Sequence, residues 1–178
     1  MKGKILGGLG FAAAVAALAV FAMPTYRQGE HSVAGRMAPD FAFTMDGKAM
    51  HLSDLRGKIV LLDFWASWCP PCVEETPALI ALHRDISQRG GMVLGVSLDD
   101  DPAAYEGFLK QHGVNFPTYL DASKAIPTTY GTSMYPEAYV IGRDGRILRK
   151  VVGPQDWTKP EMTSIFDPLL PAKQTSLR

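Results

Sequence analysis

Cys69 and Cys72 are the only two cysteines in 178 residues, and they stand three apart in Trp68-Cys69-Pro70-Pro71-Cys72. A C-x-x-C pair brings two sulfurs within reach of one disulfide, and a pair placed where a strand gives way to a helix holds the first thiol at the helix N-terminus. Unpaired N–H donors and a partial positive charge there favour the thiolate, the form that attacks disulfides. Cys69 is therefore read as the attacking sulfur and Cys72, one turn deeper, as the sulfur that resolves the mixed disulfide. A purely structural bridge is disfavoured, because closing a two-residue loop constrains little of the unfolded chain.

The elements around the pair follow from apolar periodicity. Ile59 to Trp65 (IVLLDFW) is a nearly continuous apolar run of strand length, which marks a central strand buried on both faces. Asp63 interrupts it, and a lone carboxylate there is costly unless it has a task or a partner. Val73, Leu79, Ile80, Leu82 and Ile86 recur at helical spacing after Cys69, with Pro70 and Pro71 in the first turn and Gly90-Gly91 at the end. Met92 to Leu98 is a second apolar strand, and Asp101 before Pro102 caps a helix that Gly113 closes near His112. Strand, helix, strand, helix implies a parallel pair with a right-handed crossover. Val114 to Leu120 reads as a weaker strand, and Ala122 to Tyr130 as a short helix that Pro127 breaks. Asp46-Gly47 and Arg143-Asp144-Gly145 mark two hairpins, and a last helix spans 159–170 with Thr158 and Glu161 as a capping box. Ser53 is expected to cap a short turn through Leu55.

Charge excludes one class of function. Lysine plus arginine equals aspartate plus glutamate at 18 each, so no overall field draws the chain to nucleic acid. The N-terminus is different in kind. Lys2 and Lys4 form a basic head, and Ile5 to Met23 carries no charge. At ~1.5 Å per residue that stretch reaches roughly 28 Å, about one hydrocarbon core. Residues 1–23 are expected to be a membrane anchor or a cleaved secretory signal, 24–37 a polar tether, and 38–178 one folded domain. The basic head keeps the N-terminus cytoplasmic, so the domain is expected on the periplasmic or outer side of the membrane, or secreted after cleavage.

Leu62-Asp63-Phe64-Trp65-Ala66-Ser67-Trp68-Cys69-Pro70-Pro71-Cys72 closely resembles the active-site segment of thioredoxins. The flanking strings Ala38-Pro39-Asp40-Phe41, Leu52 to Lys58, Gly95 to Asp99, Phe116-Pro117 and Asp144 to Ile147 resemble membrane-anchored thioredoxin-like proteins of the TlpA/ResA type. The resemblance implies an α/β thioredoxin-like fold, with a central mixed β-sheet flanked by helices. It also implies an N-terminal β-hairpin and a strand-helix unit inserted between Met92 and Leu120. Pro136 occupies the place of that family's cis-proline, facing the disulfide. The aspartate matching Asp63 helps take the proton of the second cysteine in thioredoxins, and ResA-type reductases carry an acidic residue where Glu75 stands. Trp68, Pro70, Tyr135, Pro136 and Glu137 are expected to face the client chain. Tyr135 departs from the family's usual small or branched residue, and Pro136-Glu137 also resembles the CcmG/DsbE branch that serves cytochrome c maturation.

The activity so implied is extracytoplasmic thiol-disulfide oxidoreduction, with the Cys69-Cys72 disulfide as redox centre and no other cofactor. Its partners would be disulfide-bonded client proteins and a transmembrane thiol reductant that restores the dithiol in an oxidising compartment. Three alternatives stand beside a general reductase. Dedicated reduction of apocytochrome c stays within the same chemistry. A Cu(I) carrier would use the two thiolates as soft ligands, although His31, His51, His83 and His112 have no ligand spacing to them. A thiol peroxidase of the peroxiredoxin group would need proline at Leu62 and threonine or serine at Ala66.

Overall fold

The computed structural model describes residues 33–172, so residues 1–23 and most of the tether lie outside the described residues. No helix among the described residues is long and apolar enough to cross a membrane. The chain enters the fold slightly before Ala38. Gly35 N–H donates to the Ile147 carbonyl at 2.7 Å, Ile147 N–H to Arg36 at 2.9 Å and Ala38 N–H to Gly145 at 2.9 Å, so 35–38 already pairs with a later hairpin.

Strands β1 (Ala42–Met45) and β2 (Lys48–His51) form an antiparallel hairpin. Asp46 and Gly47 both take positive φ, 51° and 73°, as its tight turn requires. The 3-10 turn Leu52–Leu55 follows. Ser53 lies inside it rather than capping it, and its N–H and hydroxyl donate to Asp40, while the Asp54 carboxylate accepts from His51 N–H at 2.8 Å.

Strand β3 (Ile59–Trp65) leads into helix α1 (Pro70–Ser87), then β4 (Gly91–Ser97), α2 (Pro102–His112), β5 (Thr118–Leu120), α3 (Ala125–Tyr130), β6 (Glu137–Ile141), β7 (Ile147–Val152) and α4 (Pro160–Phe166). The main sheet has the order β5-β4-β3-β6-β7, with β3 in the middle. β4 runs parallel to β3 and to β5, whereas β6 is antiparallel to β3 and β7. The sheet is therefore mixed, and every residue of β3 is buried.

Two expected details change. Pro127 does not break α3. The helix starts only at Ala125, so Pro127 falls in its first turn, where no intrahelical partner awaits its missing N–H. Thr158 does not cap α4, because its hydroxyl donates to Asp156 Oδ1 at 2.5 Å, and Lys159 holds the cap position with Pro160 in the first turn.

One sheet face packs Leu61, Val93 and Val140 against Leu79, Leu82 and Ile86 of α1 and Phe166 of α4. On the other face Phe64 and Tyr139 meet Tyr130 of α3 edge-on, at centroid distances of 5.4 and 5.0 Å. Gly95 of β4 is the place where a side chain is excluded. A Cβ there would lie 2.8 Å from Trp65 Nε1 and 3.2 Å from Phe116. Gly95→Ala is expected to destabilise the fold by about 2 kcal/mol, as overpacking does. Thermal unfolding checks it, and an unchanged midpoint would show that the Trp65 indole yields freely.

Candidate active site

β3 ends at the sheet's centre and delivers Ala66 to Cys69 to the edge of the core. Asp99, just past β4, fixes this loop. Its carboxylate accepts from Ser67 N–H at 3.1 Å, from Ser67 Oγ at 2.6 Å and from Ser97 Oγ at 2.6 Å. Cys69 then sits at the cap position of α1, joined to Cys72 in a disulfide with 5.3 Å between the Cα atoms. Cys69 keeps 5% of its surface and Cys72 2%, so both residues are buried and the first slightly less so.

The expected cradle of N–H donors is reduced by the sequence itself. Pro70 and Pro71 have no N–H, which leaves Cys72 N–H as the donor to Cys69 Sγ, at 3.4 Å. The helix dipole and that single bond are what favour a thiolate on Cys69.

Trp68 is 58% exposed and Pro70 is exposed, so neither is held by packing. Tyr135 is half-buried against the cluster of Trp65, Cys69, Cys72 and Phe108. The Tyr135-Pro136 bond is cis, and Pro136 is buried with its carbonyl accepting from Gly153 N–H at 2.9 Å. Glu137 is not in the groove where it was expected. It is 2% exposed, and its Oε1 accepts from Thr132 Oγ1 at 2.6 Å, Tyr139 OH at 2.6 Å and Lys150 Nζ at 2.9 Å. The strand alternation explains this, since Glu137 shares its face of β6 with Tyr139. The network ties Thr132 to the sheet and holds the carboxylate inside the fold.

Asp63 and Glu75 lie close enough for the charge of one to act on the other, and Glu75 stands one turn past Cys72 on α1. Asp63 is 1% exposed, and burial raises its pKa well above the usual carboxylate range, with the nearby Glu75 charge adding to the rise. Glu75 is 3% exposed and pushed up to about 7 by burial, against the pull of two donors. Those donors are the Trp157 indole N–H and the Gln155 backbone N–H, the latter at 3.3 Å, both on Glu75 Oε1. Trp157 and Gln155 were not anticipated. They reach α1 across about 80 positions of sequence, and no local periodicity marks an Asp-Trp pair in a loop.

The described residues contain no group of three or more His, Cys, Asp or Glu placed to hold a metal ion. His51 lies 3.4 Å from Asp40, His83 Nδ1 accepts from Val93 N–H, and His112 stacks on Phe108, while His31 lies outside the described residues.

A family model matches residues 34–150 and describes the AhpC/TSA family. The chain belongs to the AhpC/TSA family. Within it, this thioredoxin-like domain is 33% identical over 138 residues to the thiol-disulfide oxidoreductase ResA of Bacillus anthracis, covering 77% of this chain and 79% of that one. ResA of Bacillus subtilis is 34% identical over 127 residues, covering 70% and 71%. Among solved structures, a protein assigned as the thiol:disulfide interchange protein DsbE of Chlorobium tepidum superposes with a TM-score of 0.69 at 33% identity, over 74% of this chain and 93% of that one. The thioredoxin domain of a Bacteroides vulgatus thiol-disulfide oxidoreductase, at 24% identity and TM-score 0.67 over 76% and 97%, shares the fold. Thiol-disulfide oxidoreductase, the enzyme class read from the C-x-x-C pair, is the class these ResA relatives carry.

Proposed function

We propose that this AhpC/TSA-family chain is an extracytoplasmic thiol-disulfide oxidoreductase that reduces disulfides in client proteins, held at the cytoplasmic membrane by residues 1–23. The observation that carries this reading is the Cys69-Cys72 disulfide capping α1, with Cys69 the less buried residue of the two and exposed Trp68 and Pro70 beside it. In the reduced chain the Cys69 thiolate attacks one client sulfur. A Cys69–client bond forms, the client disulfide breaks, and the second client sulfur leaves as a thiolate. Cys72 then gives its proton to the buried carboxyl pair and attacks Cys69 Sγ, which releases the client's remaining sulfur. Two electrons have passed to the client, and a transmembrane thiol reductant restores the dithiol.

Dedicated reduction of apocytochrome c is the finer version of this reading, supported by the similarity to an assigned DsbE. Glu137, the residue that suggested it in sequence, is turned into the sheet and gives it no support. The peroxidase alternative lacks its required side chains, since positions 62 and 66 are a buried leucine and a buried alanine.

The test is the reduction potential of the full chain in detergent, equilibrated against glutathione buffers. A value of about −200 mV or lower fits a reductant, and one near −120 mV would turn the direction of electron flow around. Trp68→Ala is expected to raise KM for a protein client by about tenfold, as loss of an exposed aromatic anchor does. Its rate with a small disulfide should stay unchanged, and equal losses with both substrates would assign Trp68 to the chemistry instead.

A further inference from the structure

Asp63 and Glu75, the latter one turn past Cys72 on α1, bring four carboxyl oxygens together, and their hydrogen bonding is lopsided. Both oxygens of Asp63 and Oε2 of Glu75 are buried without a hydrogen-bond partner. The fourth, Glu75 Oε1, takes two donors from the loop between β7 and α4, the Trp157 indole and the Gln155 backbone N–H. Trp157 has no exposed surface, and its ring packs edge-on to Phe166 of α4 at 6.3 Å, so the indole cannot swing away from its acceptor without opening the core.

Two neighbouring carboxyls in a dry site do not both ionise, and together they hold one proton over a wide pH range. Donors aimed at one of them decide where the remaining charge sits, because a hydrogen bond to an anion is worth more than one to a neutral acid. Asp63 has no donor, is the more deeply buried, and feels the Glu75 charge. On α1, Cys72 stands one turn before Glu75, and Tyr105 of α2 and Tyr135 pack against the cluster that holds Cys69 and Cys72. Among the described residues no lysine or arginine bonds to either carboxyl.

Resting on the reading of Cys69-Cys72 as an exchange centre, we propose that Trp157 is a positioning residue for that chemistry: with the Gln155 N–H, its indole places the charge of the buried pair on Glu75 and leaves the proton on Asp63. Glu75 is then the base of the resolving step and Asp63 its neutral neighbour, the reverse of the roles that the resemblance to thioredoxins gives Asp63. The Cys72 S–H bond breaks and its proton goes to Glu75, whose Oε2 is free to take it. Cys72 Sγ bonds to Cys69 Sγ, the Cys69–client bond breaks, and the client sulfur leaves with the electron pair.

Site-resolved 13C carboxyl titration of the oxidised full chain, where neither cysteine titrates, reads the order of ionisation directly. Glu75 is expected to ionise near pH 7 with Asp63 still protonated, and Asp63 ionising first would overturn the proposal. In Trp157→Phe, which keeps an aromatic ring and removes the donor, the Glu75 midpoint is expected to move up by about one pH unit. The pH profile of disulfide reduction should move with it. A tryptophan that only packs would lower the melting temperature and leave the midpoint where it was, and that result also overturns the proposal. If Trp157→Phe does not fold, the order of ionisation in the parent chain decides. A chain that ionises in the expected order but reduces no disulfide would refute the proposed activity and leave this charge placement standing.

Discussion

Cys69→Ser is expected to lower disulfide reduction by about a thousandfold or more, down to the uncatalysed background, because the hydroxyl that replaces the sulfur is not ionised near neutral pH and forms no disulfide. Cys72→Ser should behave differently. The first attack uses only Cys69, so this variant still reacts with a client, but nothing displaces the client afterwards. The expected product is a covalent adduct that survives non-reducing electrophoresis and disappears with excess dithiol. The two variants together separate attacker from resolver, and the geometry supports the asymmetry. Cys69 caps α1 and accepts from the Cys72 N–H, whereas Cys72 lies a turn inward at 2% exposure. Turnover retained by Cys69→Ser, or adducts trapped on Cys72 instead, would reverse the assignment. The same trapped adducts identify the clients, and enrichment of apocytochrome c among them would select the narrower reading.

The chemistry was legible in the sequence because it is written locally. A C-x-x-C pair after a seven-residue, nearly apolar run and before a 3.6-residue period fixes strand, loop and helix in one stretch, and β3 and α1 lie where that pattern puts them. The two hairpins were legible for the same reason, each turning on an Asp-Gly pair. Local reading failed where a side chain chose a partner other than the one its spacing suggests. Thr158 and Glu161 have the spacing of a capping box, yet Thr158 bonds to Asp156. Ser53 has the residue type of a cap, but it lies inside the turn and bonds to Asp40, 13 positions back. Glu137 follows the cis-proline as a groove residue would, yet the alternation along β6 sends it inward to Lys150 and Tyr139. Asp63 and Glu75 could each be singled out for burial or position. That Trp157 would bridge to one and not the other is set by how the loop after β7 crosses α1, which has no periodic signature.

Glu75 also makes the fold's stability depend on pH in an unusual direction, and Glu75→Gln is expected to remove the share of that dependence that Glu75 carries. Most carboxylates with native partners have lowered pKa values, so acid destabilises the proteins that hold them. Glu75 is raised, from an ordinary 4.5 to about 7, chiefly by burial. Below pH 4.5 it is protonated in both the folded and unfolded chain, and its contribution to stability is fully present. Between 4.5 and 7 the unfolded chain releases the proton while the folded chain keeps it, so stability falls as pH rises. Above 7 both are ionised and the loss is complete, at about 3 kcal/mol. Asp63 acts with the same sign, beginning from its ordinary 3.8 and continuing to higher pH, because its pKa is raised too. Urea unfolding of the oxidised chain at a series of pH values measures the slope, and the intact disulfide keeps thiol ionisation out of it. The glutamine retains an oxygen that can accept from Trp157 and Gln155, so the local packing survives the change. Its amide places a donor where Oε2 now has no partner, a cost that is independent of pH and displaces the whole curve without tilting it. The difference in slope between parent and variant from pH 4.5 to 7 is therefore the quantity that isolates Glu75. If parent and variant fall equally steeply across that window, Glu75 is ionised in the folded chain well below 7, and it is then no better poised to take a proton from Cys72 than an exposed glutamate would be.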